Sequence, residues 1–586
     1  MSSSVIFQFE SSDVVGHVSA VDTTRILVAI GDNAIATRIC VGGLVAIEGG
    51  SVHEFNIAVV ERITRQLRVE TRFDQEDKEG NVRQEEVQDD TISAVLIGTF
   101  RTVDGEKRNV FKRGADSFPQ IDRHVYFLTA GNLQRLMTLF SEDIGSDKRL
   151  QLGHFVADRT AVAVADGNRF FQRHAAILGS TGSGKSWAVA LILERAAALE
   201  YPNIIVLDMH GEYGPLAEKH NGRQTAVRLR IAGPGDLDNP KEDVLFLPHW
   251  LLNREEMLSI LLDRGDQNAP NQSARFTEHV RKLKDETLEA AGETDARKTF
   301  TVDSPIPYAL GDLRTRLEED NTGMKKGARD KDIKGDWHDK LTRFLARLDA
   351  KCDDRRYGFL FRAPTSSLRY DWLPTQIRRL LSSGQGAPGI KIVDFSEVPA
   401  DVLPVVVGVL ARLLYDVQFW MDPRARTPVT IVCDEAHLYL PVREMAETAE
   451  RKALDAFEAV AKEGRKYGVS LLVVSQRPHD VSRTILSQCN NFMVLRLTND
   501  QDQNVVRRLM PDSMAGLTEV LPLMDVGEAL LLGDAVLLPT RVRLDPPKTK
   551  PNSATRSFWS EWATRAPDVD ALTQAVETLR RQTRPL

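Results

Sequence analysis

The run Gly179-Ser180-Thr181-Gly182-Ser183-Gly184-Lys185-Ser186 decides the fold. It fits G-x-x-x-x-G-K-[ST] and lies between an apolar run, Ala175 to Leu178, and a helical pattern that begins near Lys185. That setting predicts a loop whose glycines let backbone N–H groups converge on phosphates. Lys185 then reaches the β and γ oxygens, and the Ser186 hydroxyl is placed to hold Mg²⁺. The expected nucleotide-binding set is therefore Gly179, Ser180, Thr181, Gly182, Ser183, Gly184, Lys185 and Ser186.

Outward from the loop, apolar strands alternate with longer helical patterns, the signature of a parallel sheet covered by helices. The strand candidates are Ala175 to Leu178, Ile204 to Leu207, Ile390 to Phe395, Val429 to Cys433, Leu471 to Ser475 and Phe492 to Leu497. A mostly helical, heavily charged segment from about Trp250 to Ser383 interrupts this series and reads as an insertion. Upstream, Val14 to Val21, Arg25 to Ile30, Gly43 to Ile47, Phe55 to Ile63 and Ile92 to Thr99 read as short strands of a small barrel. The polar stretch Asp74 to Asp90 is expected to be a solvated hairpin or loop within it. Downstream, a helix is expected over Gln501 to Leu509, a β-like tail over Glu528 to Leu544, and an amphipathic helix over Asp568 to Arg581. The expected organisation is a barrel domain over 1–150, an α/β core over 151–249 and 384–545, a helical insertion over 250–383, and a helical tail over 546–586. That tail either stays with its own chain or packs on a neighbouring subunit.

Composition removes several classes. With 42% hydrophobic and 27% charged residues, the 586-residue chain is neither disordered throughout nor fibrous, and its length fits two to four domains. The most apolar stretch, Leu403 to Tyr415, is broken by Arg412 and falls short of the roughly 18 residues that cross a bilayer. No membrane span is expected. The start Met1-Ser2-Ser3-Ser4 carries no basic region or cleavage site of a secretory signal, so the expected location is the cytoplasm. Cys40, Cys352, Cys433 and Cys489 are scattered without C-x-x-C spacing, which speaks against a structural zinc site and a disulfide framework. A net charge of -7 does not advertise a nucleic-acid partner, so any DNA contact must be local. The segment Lys325 to Arg356, which includes Arg329, is rich in Lys and Arg but carries seven Asp residues as well, and reads as a solvated helical face.

Four further motifs carry chemistry. Val429 to Cys433 leads into Asp434-Glu435, where Asp434 can support Mg²⁺ and Glu435 can orient and deprotonate a water; the plainer alternative is a helix N-cap pair. The run Leu471 to Ser475 ends on Gln476, either a sensor of the γ-phosphate or an ordinary polar strand end. Glu463-Gly464-Arg465-Lys466-Tyr467-Gly468 offers Arg465, either an arginine finger that serves a neighbouring subunit or a cation at a helix C-terminus. Asp208-Met209-His210-Gly211-Glu212-Tyr213 follows another strand. There Asp208 or Glu212 can touch the magnesium shell or the water, and His210 either bonds the phosphate or is structural.

Taken in order, Gly179 to Ser186, Asp208-x-His210-Gly211-Glu212-Tyr213, Asp434-Glu435-Ala436-His437, Glu463 to Gly468 and Ser475-Gln476-Arg477-Pro478 resemble the HerA family of hexameric DNA-translocating ATPases. The resemblance covers about residues 10 to 545. The first strands look like that family's HAS barrel, and Val526-Gly527-Glu528-Ala529-Leu530 looks like its closing strands. It implies a RecA-like P-loop core in a six-membered ring, ATP and Mg²⁺ bound between subunits, and DNA in a central channel. It also implies roles for Lys185 and Ser186 in nucleotide and Mg²⁺ binding, Asp434 and Glu435 as the Walker B pair, Arg465 in trans and Gln476 as sensor, with Arg173 a further position near the subunit boundary. Relatives of this kind work with nucleases in DNA end resection, or with sirtuin-like or other effectors in antiphage defence, and the barrel is the expected docking face. The alternative function is a nucleotide-gated ring scaffold that activates a partner enzyme with little translocation.

Overall fold

A computed structural model describes residues 7–10, 13–31, 39–51, 54–73, 82–103, 108–114, 117–128, 130–219, 224–326, 331–384, 387–510, 512–553 and 556–582. The chain divides into two compact units. The first comprises Met1–Arg195, Leu472–His479 and Leu486–Lys548; the second comprises Ala196–Leu471, Asp480–Ile485 and Thr549–Leu586.

The first unit opens with β1 (Val14–Val21), β2 (Arg25–Ile30), β3 (Leu44–Glu48), β4 (Glu54–Phe73), β5 (Val82–Val103), β6 (Arg108–Arg113) and β7 (His124–Phe127). Six of these close in the order β2-β1-β7-β3-β4-β5, with β5 returning to β2, while β6 extends β5 outside the closure. Alternation puts one face inside, where Val15, Val18, Ile26, Val28, Val45, Ile47, Val60, Ile92 and Val125 form the barrel core. Full closure leaves no unpaired strand edge within the ring. The expected loop over Asp74 to Asp90 is corrected in its second half. β4 and β5 pair continuously from Glu54/Arg101 to Phe73/Val82, so 82–90 are strand, and Asp90 is buried with Arg65 at 3.6 Å. Residues 74–81 lie outside the described residues.

The chain continues with β8 (Arg149–Phe155), β9 (Val162–Asp166) and β10 (Ala175–Leu178) in the first unit, then β11 (Ile204–Asp208), β12 (Ala226–Ile231) and β13 (Val244–Leu245) in the second. The insertion follows, with helices Arg254–Leu261, Ala269–Ala291, Leu310–Thr322, Thr342–Asp353 and Trp372–Leu381 and a small hairpin, β14 (Met324–Lys326) with β15 (Asp332–Lys334). β16 (Ile390–Asp394), β17 (Val429–Cys433), β18 (Val469–Ser475), β19 (Asn491–Val494), β20 (Glu528–Gly533) and β21 (Thr540–Leu544) complete the strands. All six expected core strands are present with ends shifted by a few residues, the largest shift being at β19, which stops at Val494.

In the first unit β10 lies between the parallel strands β18 and β19, and antiparallel β20, β21, β8 and β9 follow outward. In the second unit β13, β12, β16, β11 and β17 run parallel in that order. β18 changes unit part-way, after Leu471.

Two further expectations are corrected. The stretch that starts at Leu403 forms a helix of 18 residues, Leu403–Trp420, long and apolar enough by length and composition to cross a membrane. It is instead a core helix: most of it is buried, and Arg412 pairs with Glu256 at 2.8 Å. The basic stretch Lys325 to Arg356 is part hairpin and part helix, because Gly323 and Gly335 bracket β14 and β15. Most of its described cations are matched pairwise, for example Lys326 with Asp332 at 2.9 Å, Arg347 with Asp263 at 2.8 Å and Arg355 with Asp238 at 2.6 Å. Arg329 lies outside the described residues.

Candidate active site

The phosphate loop belongs to the first unit. All four residues of β10 are buried, and Gly179 leaves its C-terminal end flanked by β18 and β19. The Gly179 N–H donates to Ser475 O at 3.3 Å and the Ser180 N–H to Arg496 O at 2.8 Å, so both neighbouring strands hold the loop. Gly182 and Gly184 have φ of 72° and 103°, which side chains disfavour. A Cβ on Gly179 would stand 2.5 Å from Ser183 Oγ. The helix Lys185–Ala197 then presents its N-terminal N–H groups to the loop.

Two side chains indicate that the loop suits an anion. Lys185 is 8% exposed, with its ammonium donating to Ser180 O at 3.3 Å, and Ser183 Oγ is buried without a hydrogen-bond partner among the described residues. A buried cation and an orphaned hydroxyl are both relieved by a phosphate oxygen. Gln476, directly after β18, accepts from Thr181 Oγ1 at 2.5 Å. The expected sensor is thus tied to the loop it would report on, a contact the sequence did not reveal.

The acids belong to the second unit. β11 and β17 are parallel neighbours with Leu207 opposite Cys433, so Asp208 and Asp434 leave the same C-terminal edge. Asp208 is buried and accepts from the Glu212 and Tyr213 N–H groups, each at 3.0 Å. It therefore shapes the turn that brings Glu212 back. Burial pushes the Asp208 carboxyl up, against the pull of those backbone donors. Asp434 is 4% exposed; burial, then the charges of Glu435, Asp208 and Glu212, push its carboxyl well above the usual range. Tyr213, not singled out from sequence, is fully buried beside this cluster, and its hydroxyl lacks a hydrogen-bond partner among the described residues. Crowded carboxylates and an orphaned hydroxyl fit a hydrated divalent cation, whose charge offsets the repulsion and whose water can satisfy the hydroxyl.

Glu435 adopts a left-handed backbone, φ 44° and ψ 46°, unusual for a residue with a side chain. The turn turns its carboxylate toward His437, whose Nδ1 stands 3.3 Å from Oε2.

The remaining expected residues lie elsewhere. Arg465 is exposed in the turn before β18, where Val429 N–H donates to Gly468 O at 2.8 Å. It thus sits level with the start of β17, at the end opposite Asp434. Arg173 precedes β10 at the end opposite the phosphate loop and is ion-paired with Asp534. His210 is exposed and lines a polar cavity of about 460 Å³ with Gly211, Glu218, Arg228, Ser396 and Asn552. Among the described residues no cluster of three or more metal-ligating His, Cys, Asp or Glu side chains is set up as a self-contained metal site.

Comparison with known proteins fits this reading. Residues 150–414 match the family model described as the central domain of helicase HerA. Over this region the chain is similar to the HerA family. It is similar to a probable helicase, MJ1565, of Methanocaldococcus jannaschii, at 25% identity over 78% of each chain. It is likewise similar to the DNA double-strand break repair helicase HerA of Pyrococcus furiosus, at 26% identity over 65% of this chain and 66% of that one. Among solved structures, VirB4 of Thermoanaerobacter pseudethanolicus aligns with a TM-score of 0.45 at 15% identity, over 71% of this chain and 99% of that one. The chain is an ATP-hydrolysing P-loop enzyme.

Proposed function

We propose that this chain is a HerA-type DNA translocase that hydrolyses ATP at sites completed by a neighbouring copy in a homo-hexameric ring. One observation carries the reading. The loop, the sensor Gln476 and the acids Asp434 and Glu435 all follow the C-terminal ends of strands, whereas Arg465 precedes the N-terminal end of one. An arginine so placed serves another copy, and a ring in which each copy serves the next is the closed form of such a head-to-tail contact. The names of the similar proteins, helicases of DNA double-strand break repair among them, support DNA as the substrate.

In this reading Gly179 to Gly184 and Lys185 hold the phosphates, and Gln476 reports the γ-phosphate through its bond to Thr181. Ser186 and Asp434 would hold Mg²⁺, which supplies charge neutralisation across the β and γ oxygens. Glu435 takes the proton of the attacking water. Arg173 acts near the subunit boundary, and His210, which follows the C-terminal end of β11, bonds the phosphate or is structural. The barrel, a closed body with its own core, is the docking face for a partner nuclease or effector, sirtuin-like ones included, in DNA end processing or antiphage defence. A cytoplasmic location is part of the same reading.

The test is ATPase activity of the full chain with and without DNA, together with translocation on a DNA track. DNA-stimulated turnover that Glu435→Gln abolishes along with movement supports the proposal. Turnover indifferent to DNA refutes it. If Glu435→Gln leaves the output of a docked effector intact, the scaffold alternative replaces it.

A further inference from the structure

We propose that Trp187 is the side chain against which the base of the bound nucleotide stacks. This role rests on the reading of Gly179 to Ser186 as the triphosphate loop and adds the group that holds the other end of the molecule.

Three observations carry it, all within the first unit. First, Trp187 inverts the pattern of its helix. Lys185–Ala197 is a core helix in which Ala188, Val189, Ala190, Leu191, Ile192 and Leu193 are each at most 1% exposed, yet its largest apolar side chain, the Trp187 indole, is 38% exposed. A single exposed apolar residue is ordinary on a surface, so the place of this one decides its meaning. Second, that place is the first turn, two residues after Lys185. Side chains on a helix lean toward its N-terminus, so the indole leans toward the end at which the first N–H groups face the phosphates. Third, the ground beside the loop is apolar. The Gly527 N–H donates to Ser183 O at 3.2 Å, and a Cβ on Gly184 would stand 3.4 Å from Gly527 N, so the turn that leads into β20 lies against the loop. Val526 in that turn is 50% exposed.

The polarity of a triphosphate connects these features. In a loop of this kind the lysine reaches the β and γ oxygens, while backbone N–H groups at the helix start cradle the α and β phosphates. With the γ-phosphate toward Lys185 and Gln476, the α-phosphate falls to the first turn, and ribose and base extend past it. An exposed indole in that turn offers a flat π face to a flat base. Stacking of a base on an aromatic side chain changes affinity by about 5- to 150-fold when the ring is removed, and it tolerates any base because every base has such a face.

The experiment measures equilibrium binding of ATP and of inorganic tripolyphosphate, both with Mg²⁺, to the full chain and to its Trp187→Ala, Trp187→Phe and Lys185→Ala variants, together with the mass of the assembly. Trp187→Ala should weaken ATP by about 5- to 150-fold while tripolyphosphate, which has no base, stays within about twofold. Trp187→Phe keeps a flat ring and should recover most of the loss. ATP but not tripolyphosphate should quench tryptophan emission, and Trp187→Phe should remove that quench. An equal loss for both ligands, Phe no better than Ala, or a quench that survives Trp187→Phe overturns the stacking role. Unchanged ATP affinity with a lighter assembly overturns it as well and gives the indole to a neighbouring copy. ATP binding retained by Lys185→Ala overturns the reading of the loop itself, so the two failures are told apart.

Discussion

An equimolar mixture of Lys185→Ala and Arg465→Ala proteins should hydrolyse ATP although neither does so alone. The reason is a distance within the second unit. Gly468 stands level with Val429, the first residue of β17, and Asp434 follows its last, so five residues at about 3.3 Å each put Arg465 and the acid cluster about 17 Å apart along the strand. No arginine side chain spans that length, and Arg465 is exposed on the far edge. Loss of a finger of this kind lowers turnover by about 10³- to 10⁵-fold, so Arg465→Ala alone should be nearly silent. In a randomly mixed ring, a working interface needs a loop from an Arg465→Ala copy and an arginine from a Lys185→Ala copy. That condition holds at about one interface in four, so recovery should approach a quarter of the wild-type rate. The assay is phosphate release after co-refolding or subunit exchange, titrated across mixing ratios, with the maximum at one to one. Absence of recovery at every ratio, with rings of normal mass, would refute the argument.

Three further outcomes follow from single side chains. Lys284 is buried in the insertion, donates to Val302 O and Ser304 O at 2.7 and 2.6 Å, and is pushed down by burial from the usual 10.5 to about 8. Between those values the unfolded chain binds more protons than the folded one, so stability should rise with pH. The stability of the protein relative to Lys284→Met in urea unfolding should rise by about 3 kcal/mol from pH 8 to 10.5. Tyr213→Phe removes a buried hydroxyl that has no partner among the described residues; it should raise the melting temperature without Mg²⁺ and nucleotide, equivalent to about 1 kcal/mol, and reduce the further gain when both are added. Arg412→Ala strands the nearly buried Glu256 and should cost about 3–5 kcal/mol in denaturant unfolding, while Arg412→Met with Glu256→Leu should restore most of it.

The α/β core was legible because its strands are short apolar runs buried on both faces, a pattern that few other structures produce. The strands that escaped sequence analysis are those whose pattern is half polar. β12 reads Ala-Val-Arg-Leu-Arg-Ile, and its arginines suit a strand only because Asp394 receives Arg228 while Asp236 and Asp243 receive Arg230. Asp394 stands 166 positions from Arg228, beyond any local window, and even Asp236 and Asp243, 6 and 13 positions from Arg230, reach it only through the turn after β12. β7 has four residues and is fixed by pairing with β1 and β3 rather than by its own propensity. The acidic stretch that ends at Asp90 looked like a loop because it is polar, yet register with β4 makes its second half strand. In the site, residue types and spacing pointed to the loop and the acids, but not to the contacts between side chains. Thr181 meets Gln476 across 295 positions of sequence, and Glu435 approaches His437 to 3.3 Å within one turn, through backbone directions that residue types do not reveal.

Strand polarity then sorts the candidate residues more sharply than their chemistry does. A lysine, a serine, a glutamine and two acids share one property: each follows a strand's last residue, where unpaired backbone donors and side chains converge on a ligand in sheets of this kind. Arg173 and Arg465 share the opposite property, each preceding a strand's first residue. Charge alone would have grouped these arginines with Lys185 as phosphate ligands of one site. Their place along the strand separates them. On the proposed reading it divides each copy into an edge that binds nucleotide and an edge that acts on the nucleotide of another, so that hydrolysis would respond to how copies meet. In such an arrangement any force that separates the edges, whether from DNA or a docked partner, is felt directly as a change in catalytic rate.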